Sequence, residues 1–126
     1  MKRDLDLIRE ILMAVEQKEG WKPEPVHLEG YDDQTVAYHA ILLVEAGLCV
    51  GGTRGPDKKK FPIDPVGAIA RLTWDGHEFL DSARDDTSWN RIKEFVANTA
   101  MSASIATISR LLSVLTVQKF KTTLGG

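Results

Sequence analysis

The acidic residues and histidine of residues 73–98 are the side chains whose spacing first suggests chemistry. Glu78, Asp81 and Asp85 recur at helical spacing, and His77 lies four residues before Asp81. Oxygen ligands in such a stripe can hold a divalent cation. The same segment carries six acids and three bases, distributed as expected for amphipathic helices, so a solvated polar face is the favoured interpretation.

No motif in the sequence supports catalysis or cofactor binding. The three histidines, His27, His39 and His77, share no metal-ligand spacing with the single cysteine, Cys49. A phosphate loop, a nucleophile elbow and a dinucleotide fingerprint are all missing from the sequence. We therefore predict that the protein is not an enzyme and uses no catalytic residue, metal or cofactor. Cys49 lies in an apolar run and is predicted to be a small core residue.

A basic cluster lies in a glycine- and proline-rich segment between two short predicted strands. Residues 51–72 contain five bases and two acids, a local balance of +3, and the bases are Arg54, Lys58, Lys59, Lys60 and Arg71. These side chains are candidate contacts to the phosphates of duplex DNA, which would position the protein without giving it sequence preference. A solvated lysine run that keeps a hairpin edge soluble explains the cluster equally well.

The helix predicted before this segment is acidic. Residues 31–46 contain three acids and no lysine or arginine, which opposes deep insertion into the major groove of DNA. Four of its side chains are candidates to contact base edges or another partner: Gln34, Thr35, Tyr38 and His39. The solvated face of a core helix is the favoured interpretation of these four, and the acid content favours a protein partner over DNA.

Hydrophobic periodicity predicts two helices in the first half of the chain. The first covers residues 4–19, ends at Gly20, and has an apolar face of Leu5, Ile8, Leu12 and Val15. A connector interrupted by prolines follows it. The second covers residues 33–46, is capped by Asp32 or Asp33, leaves at Gly47, and has an apolar face of Val36, Ala40, Leu43 and Val44.

The sequence of the second half of the chain predicts a hairpin followed by helices. The segments "LCV" and "AIARLT" are the two strands, and Thr73 ends the second strand and caps a helix. Gly76 in the first turn of that helix predicts close packing against a neighbouring element. A new cap at Asp86 or Thr87 starts a further helical segment, with an apolar face of Trp89, Ile92, Phe95 and Val96. The pattern leaves open whether this segment is a new helix or a kinked continuation.

The order helix, connector, helix, strand, loop, strand, helix is that of a winged-helix domain, in which the hairpin is the wing. The segments "MKRDLDLIREILMAVE", "VAYHAILLVEAGLCVG" and "RLTWDGHEFLDSARDDTSWN" resemble a family of uncharacterised bacterial and prophage proteins, catalogued as a domain of unknown function with a winged-helix-like fold. The resemblance spans most of residues 1–98. It implies a fold and no activity. The sequence "WKPEPVHLEGY" stands where a DNA-binding helix-turn-helix has its crossing helix, so that clamp is predicted to be incomplete.

The predicted fold class is mainly α (α+β), a winged-helix-like domain with a two-stranded wing over residues 1–98, followed by C-terminal helices. Residues 99–126 contain no acid and form a predicted amphipathic appendage with Ile105, Ile108, Leu112 and Leu115 on one face. This appendage either packs on the domain or joins a second chain, and we predict a homodimer through it. Binding to a membrane surface is the least favoured alternative.

Length, composition and charge set the remaining limits. The chain has 126 residues, 43% of them hydrophobic, which suits one domain with its own core. Its net charge of −2 gives no overall basic signature. Acids within the first six residues argue against a signal peptide or membrane anchor, so a cytoplasmic protein is expected. The leading hypothesis is a small DNA-binding or regulatory module, and the alternative is a protein-interaction module on the same scaffold.

Overall fold

The computed structural model describes residues 2–52, 67–99, 108–112 and 114–115. The elements follow the order α1 (Leu5–Gln17), α2 (Asp33–Glu45), β1 (Cys49–Gly52), β2 (Ala68–Leu72), α3 (Trp74–Ala83) and α4 (Asp86–Thr99). The two strands pair as an antiparallel hairpin. The predicted fold class, mainly α with a two-stranded antiparallel hairpin, is confirmed.

The chain divides into two compact units, Met1–His77 and Glu78–Gly126. The predicted appendage at residues 99–126 falls mostly outside the described residues, so the predicted division at residue 98 stays a prediction. Within the second unit, residues 108–112 and 114–115 are helical, and Ile108 and Leu112 are buried in the single chain. Ile105 lies outside the described residues.

Helix α1 buries its apolar face in the core of the first unit. Asp4 caps it, accepting a hydrogen bond from the Leu7 backbone N–H at 3.2 Å. Its buried side chains are Leu7, Ile8, Ile11, Leu12 and Val15. The predicted apolar face differs at its edge from the observed one. Leu5 is only half-buried, whereas Leu7 and Ile11, which were not predicted on the face, are in the core.

Helix α2 ends in a turn that feeds the hairpin. Gly47 has a φ of 80° in the left-handed region that favours glycine. The N–H of Leu48 donates to the Leu43 carbonyl at 3.0 Å, and the N–H of Gly47 donates to the Val44 carbonyl at 3.0 Å. This pattern is a Schellman motif, and it confirms the exit predicted at Gly47.

Thr73, at the junction of β2 and α3, is hydrogen-bonded to the turn that follows α2 and to the first turn of α3. The Thr73 hydroxyl donates to the Gly47 carbonyl at 2.6 Å and accepts from the Gly76 N–H at 3.0 Å. The Thr73 N–H donates to the Leu48 carbonyl at 2.9 Å. A Cβ on Gly76 would overlap the carbonyl oxygen of Leu48. The predicted cap at Thr73 and the predicted close packing at Gly76 are both confirmed.

The connector contributes a third extended piece to the hairpin. Glu24 pairs with Ile69 in an isolated antiparallel bridge, with N–H to carbonyl distances of 3.1 Å and 2.9 Å. Residues 18–32, all of them described, contain no helix. The segment between α1 and α2 is therefore extended and turn structure, as the prolines predict.

In the second unit, α4 is a separate helix. Asp85 is its cap, because the Asp85 carboxylate accepts from the Ser88 N–H at 3.1 Å and from the Ser88 hydroxyl at 2.6 Å. The prediction of a cap at Asp86 or Thr87 is thus wrong by one or two residues. Phe95 was predicted on the apolar face but is 48% exposed, whereas Trp89 and Ile92 are buried.

The predicted core role of Cys49 is confirmed. The side chain is buried, and burial raises the pKa of its thiol to about 12. The thiol therefore remains protonated at neutral pH and behaves as a small apolar side chain.

Candidate partner-binding surface

The start of α2 presents carboxylates rather than cations. Asp32 caps the helix through a hydrogen bond of 2.6 Å from the Thr35 N–H. Hydrogen bonds from the Thr35 backbone and side chain lower the pKa of the Asp32 carboxyl, so it is ionised at neutral pH. Asp33 lies 3.1 Å from the His27 ring, and both side chains are exposed. Two carboxylates thus occupy the end of α2 that would meet phosphates if this helix entered a groove of DNA.

Acidic residues of α1 lie close to the same end of α2. Burial raises the pKa of the Tyr31 hydroxyl, and the carboxylates of Asp4, Asp6 and Glu10 raise it further. These carboxylates act on Tyr31 because they are near its hydroxyl. Carboxylates from both α1 and α2 therefore make the surroundings of the start of α2 negative.

The predicted contact residues of α2 have different surroundings. Gln34 is exposed, and Thr35 and Tyr38 are half-buried. His39 is 0% exposed, and it is hydrogen-bonded to the Asp4 N–H and the Thr35 carbonyl at 2.8 Å each. The assignment of His39 to a solvated face is therefore wrong, and its burial counts against a contact with base edges or a partner. A polar ring reaches the core because both of its nitrogens find backbone partners.

The predicted basic contacts fall almost entirely outside the described residues. Arg54, Lys58, Lys59 and Lys60 lie in the segment 53–66, which the structure does not describe. Arg71 is described, and it is exposed on β2, where it pairs with Val50 and donates to the Leu72 carbonyl at 3.0 Å. The proposed contacts of these five residues stay predictions.

Two exposed tryptophans in the first unit are the surface feature that the sequence analysis missed. Trp21 is 86% exposed and Trp74 is 77% exposed. The available signal was position: Trp74 lies off the face of α3 that carries the buried Phe79, Leu80 and Ala83, and Trp21 lies between a helix end and two prolines. A large aromatic side chain outside every apolar face is a candidate contact residue.

The chain at Trp74 and the chain before Glu24 both run toward the Leu72 end of the sheet. The paired residues Gly52 and Ala68 mark the other end, and Trp74 follows directly after Leu72 and Thr73. The bridge at Glu24 is antiparallel to β2, so the residues that precede Glu24 run toward the Leu72 end. The exposed side chains of Trp21 and Trp74 are together called the tryptophan surface.

A shallow groove of about 300 Å³ lies between the end of α1 and the connector. Its lining mixes apolar, polar and charged side chains: Ala14, Val15, Gln17, Lys18, Glu19, Glu24, Pro25, Val26 and His27. Trp21 lies between Glu19 and Glu24 in sequence and is not among the lining residues.

Two carboxylates of the acidic stripe, those of Asp81 and Asp85, have other partners. The carboxylate of Asp81 lies 3.2 Å from the Arg84 guanidinium, and that of Asp85 caps α4. Within the described part of the chain, no three His, Cys, Asp or Glu side chains are grouped in a way that could hold a metal ion. Among the same residues, no helix combines the length and the apolar character needed to cross a membrane.

The fold places the protein among small α+β chains with a two-stranded antiparallel hairpin. Residues 2–102 match the family described as "Hypothetical protein (DUF2513)", and the chain belongs to that family. An uncharacterised protein of Haemophilus influenzae is 36% identical over 121 residues, which cover 94% of this chain and 98% of the relative. No solved structure gives a significant match. The family resemblance predicted from the sequence is confirmed, and neither match carries a function.

Proposed function

We propose that this protein is a non-enzymatic regulatory module, built on a winged-helix scaffold, that works by binding another protein. The order of α1, the extended piece at Glu24, α2, β1, β2 and α3 supports the winged-helix scaffold. The lack of catalytic and cofactor motifs in the sequence supports a binding role. Fold alone does not determine the partner, so its class must be argued from the surface.

The exposure of Trp21 and Trp74 is the main observation in favour of a protein partner. Tryptophan buries a large apolar area at low cost in conformational entropy and is enriched among the residues that dominate binding energy. Both residues are more than three-quarters exposed, so each offers a large aromatic area that a partner can bury. Neither tryptophan belongs to the segment 53–66 that contains most of the basic cluster.

The charge of α2 supports the same conclusion by disfavouring DNA. Phosphate neutralisation supplies most non-specific affinity for DNA, and the start of α2 presents Asp32 and Asp33 in place of cations. The burial of His39 removes one of the four candidates for contact with base edges. The incomplete helix-turn-helix clamp at residues 18–32 points in the same direction.

Affinity capture with the two tryptophans replaced tests this proposal. The full chain is used as bait in wild-type form, as the double variant Trp21→Ser and Trp74→Ser, and as the control Phe95→Ser. Phe95 is an exposed aromatic residue of the second unit, so the control removes exposed apolar area elsewhere. We expect wild type and control to capture the same protein and the double variant to lose it. Loss of about 2 kcal/mol at hot-spot residues weakens binding about 30-fold.

Circular dichroism of each bait checks that lost binding is not lost structure, since exposed substitutions usually change stability by only about 0.5 kcal/mol. Equal capture by the double variant, with the purified partner binding it as tightly as wild type, would contradict the proposal.

The second candidate function is binding of duplex DNA through the wing. The observation that favours it is the run of Arg54 and Lys58–Lys60 between β1 and β2, together with the exposed Arg71 on β2. Such contacts would be with phosphates and would give little sequence preference. Self-association through the C-terminal residues is a further proposal. Ile108 and Leu112 are already buried within one chain, so these two side chains do not need a second chain to cover them.

A further inference from the structure

The ring of His39 lies between the starts of two helices, and its hydrogen bonds fix its protonation state. Its Nε2 atom is 2.8 Å from the Asp4 backbone nitrogen, and its Nδ1 atom is 2.8 Å from the Thr35 carbonyl oxygen. A backbone N–H only donates and a carbonyl only accepts. The ring is therefore neutral, with its proton on Nδ1.

These two bonds connect the caps of α1 and α2. Asp4 caps α1 by accepting from the Leu7 N–H, and Asp32 caps α2 by accepting from the Thr35 N–H. His39 receives the N–H of Asp4 and donates to the carbonyl of Thr35. The hydrogen bonds thus form one continuous chain from the first turn of α1 to the first turn of α2.

We propose that His39 is a proton-sensitive latch that holds the start of α1 on α2. Protonation places a hydrogen on Nε2, which then faces the Asp4 N–H, so that two donors meet and the hydrogen bond is lost. The ring is 0% exposed, so water cannot replace the lost partner without an opening of the helix start. The latch is independent of what the protein binds.

Other charged and titratable groups around the ring do not replace the lost bond. The carboxylates of Asp4 and Asp32 are each already engaged by a backbone N–H. Tyr38 contacts the ring edge-on, with centroids 5.4 Å apart. The Tyr31 hydroxyl and the carboxylates of Asp6 and Glu10 lie around the same helix start. A ring that carries a proton on Nε2 cannot accept the Asp4 N–H, so acid opposes the closed latch.

A comparison of His39→Gln with wild type at two pH values tests the latch. Glutamine offers one donor and one acceptor but does not titrate, and His77→Gln is the control because His77 is exposed. We expect the urea midpoints of wild type and His77→Gln to fall by similar amounts between pH 7.5 and pH 5.5, and that of His39→Gln to fall less. Parallel losses in all three proteins would overturn the proposal.

Hydrogen exchange in the wild-type protein gives a second test that does not depend on the variant folding. The protection factor of the Asp4 amide, corrected for the intrinsic exchange rate, is expected to fall about tenfold over the same pH range, the scale of one lost hydrogen bond. Amides in the middle of α1, such as Ile11, should change less. Constant protection at Asp4, or a ring that carries its proton on Nε2 at neutral pH by nitrogen NMR, would also overturn the latch.

Discussion

Replacing Gly76 by alanine is expected to destabilise the protein by about 3 kcal/mol, the upper end of the usual range for overpacking. Helix propensity alone predicts the opposite, since alanine is favoured over glycine within a helix by about 1 kcal/mol. The new Cβ would overlap the Leu48 carbonyl oxygen, which is backbone and cannot rotate away. That oxygen also accepts the Thr73 N–H, so moving it weakens the junction between β2 and α3.

The measurement is urea denaturation followed by far-ultraviolet circular dichroism, with His77→Ala as the control. His77 is the next residue of the same helix and is exposed, so this substitution should change the free energy of unfolding by no more than about 0.5 kcal/mol. A Gly76→Ala protein as stable as wild type would show that α3 does not pack against Leu48 as described.

Replacing Trp89 by alanine is expected to cost about 3–5 kcal/mol, the range for deleting a large buried aromatic side chain. Trp89 is 1% exposed, and its ring meets that of Phe79 edge-on, with centroids 6.3 Å apart and planes at 82°. Removal leaves a cavity in the core of the second unit and takes away the aromatic contact, which adds stability beyond area burial.

The same substitution at Trp21 is the matched control. Trp21→Ala removes an equal side chain from an 86% exposed position, so the urea midpoint should stay close to that of wild type. Trp89→Phe should fall between the two because it keeps an aromatic ring. Equal destabilisation by Trp21→Ala and Trp89→Ala would contradict the assignment of Trp89 to the core.

The helices and the hairpin were predictable because their signals are local. Periodic apolar residues defined α1 and α2, Gly47 marked the exit of α2, and the change of period at Thr73 marked the junction of β2 and α3. Gly76 was informative for a physical reason: a glycine in a helix needs an explanation, and here the explanation is a carbonyl at close approach.

The features that were not predictable depend on contacts between distant residues. The burial of His39 requires the Asp4 N–H, 35 residues away, to meet its ring. Glu24, which forms the bridge with Ile69, lies between two prolines, where the local sequence disfavours a strand. The cap of α4 fell at Asp85 because adjacent aspartates offer equivalent local signals and only geometry selects one.

The candidate site was predictable only in part. The acidic character of α2 followed directly from its composition, and the structure adds that Asp32 is held as a helix cap. The tryptophan surface was missed because the sequence analysis followed apolar residues at helical and strand spacing, and Trp21 and Trp74 lie outside those patterns.

Titration of a fluorescently labelled duplex at about 50 mM salt, where electrostatic attraction is little screened, tests the central claim most directly. If the partner is a protein, wild type should show no measurable change in anisotropy with duplexes of any sequence. Binding whose logarithmic affinity falls with the logarithm of salt at a slope of roughly −3 to −4, as expected for three or four phosphate contacts, would contradict the claim. Loss of most of that slope in the variant Lys58→Glu, Lys59→Glu, Lys60→Glu would then assign the function to the wing.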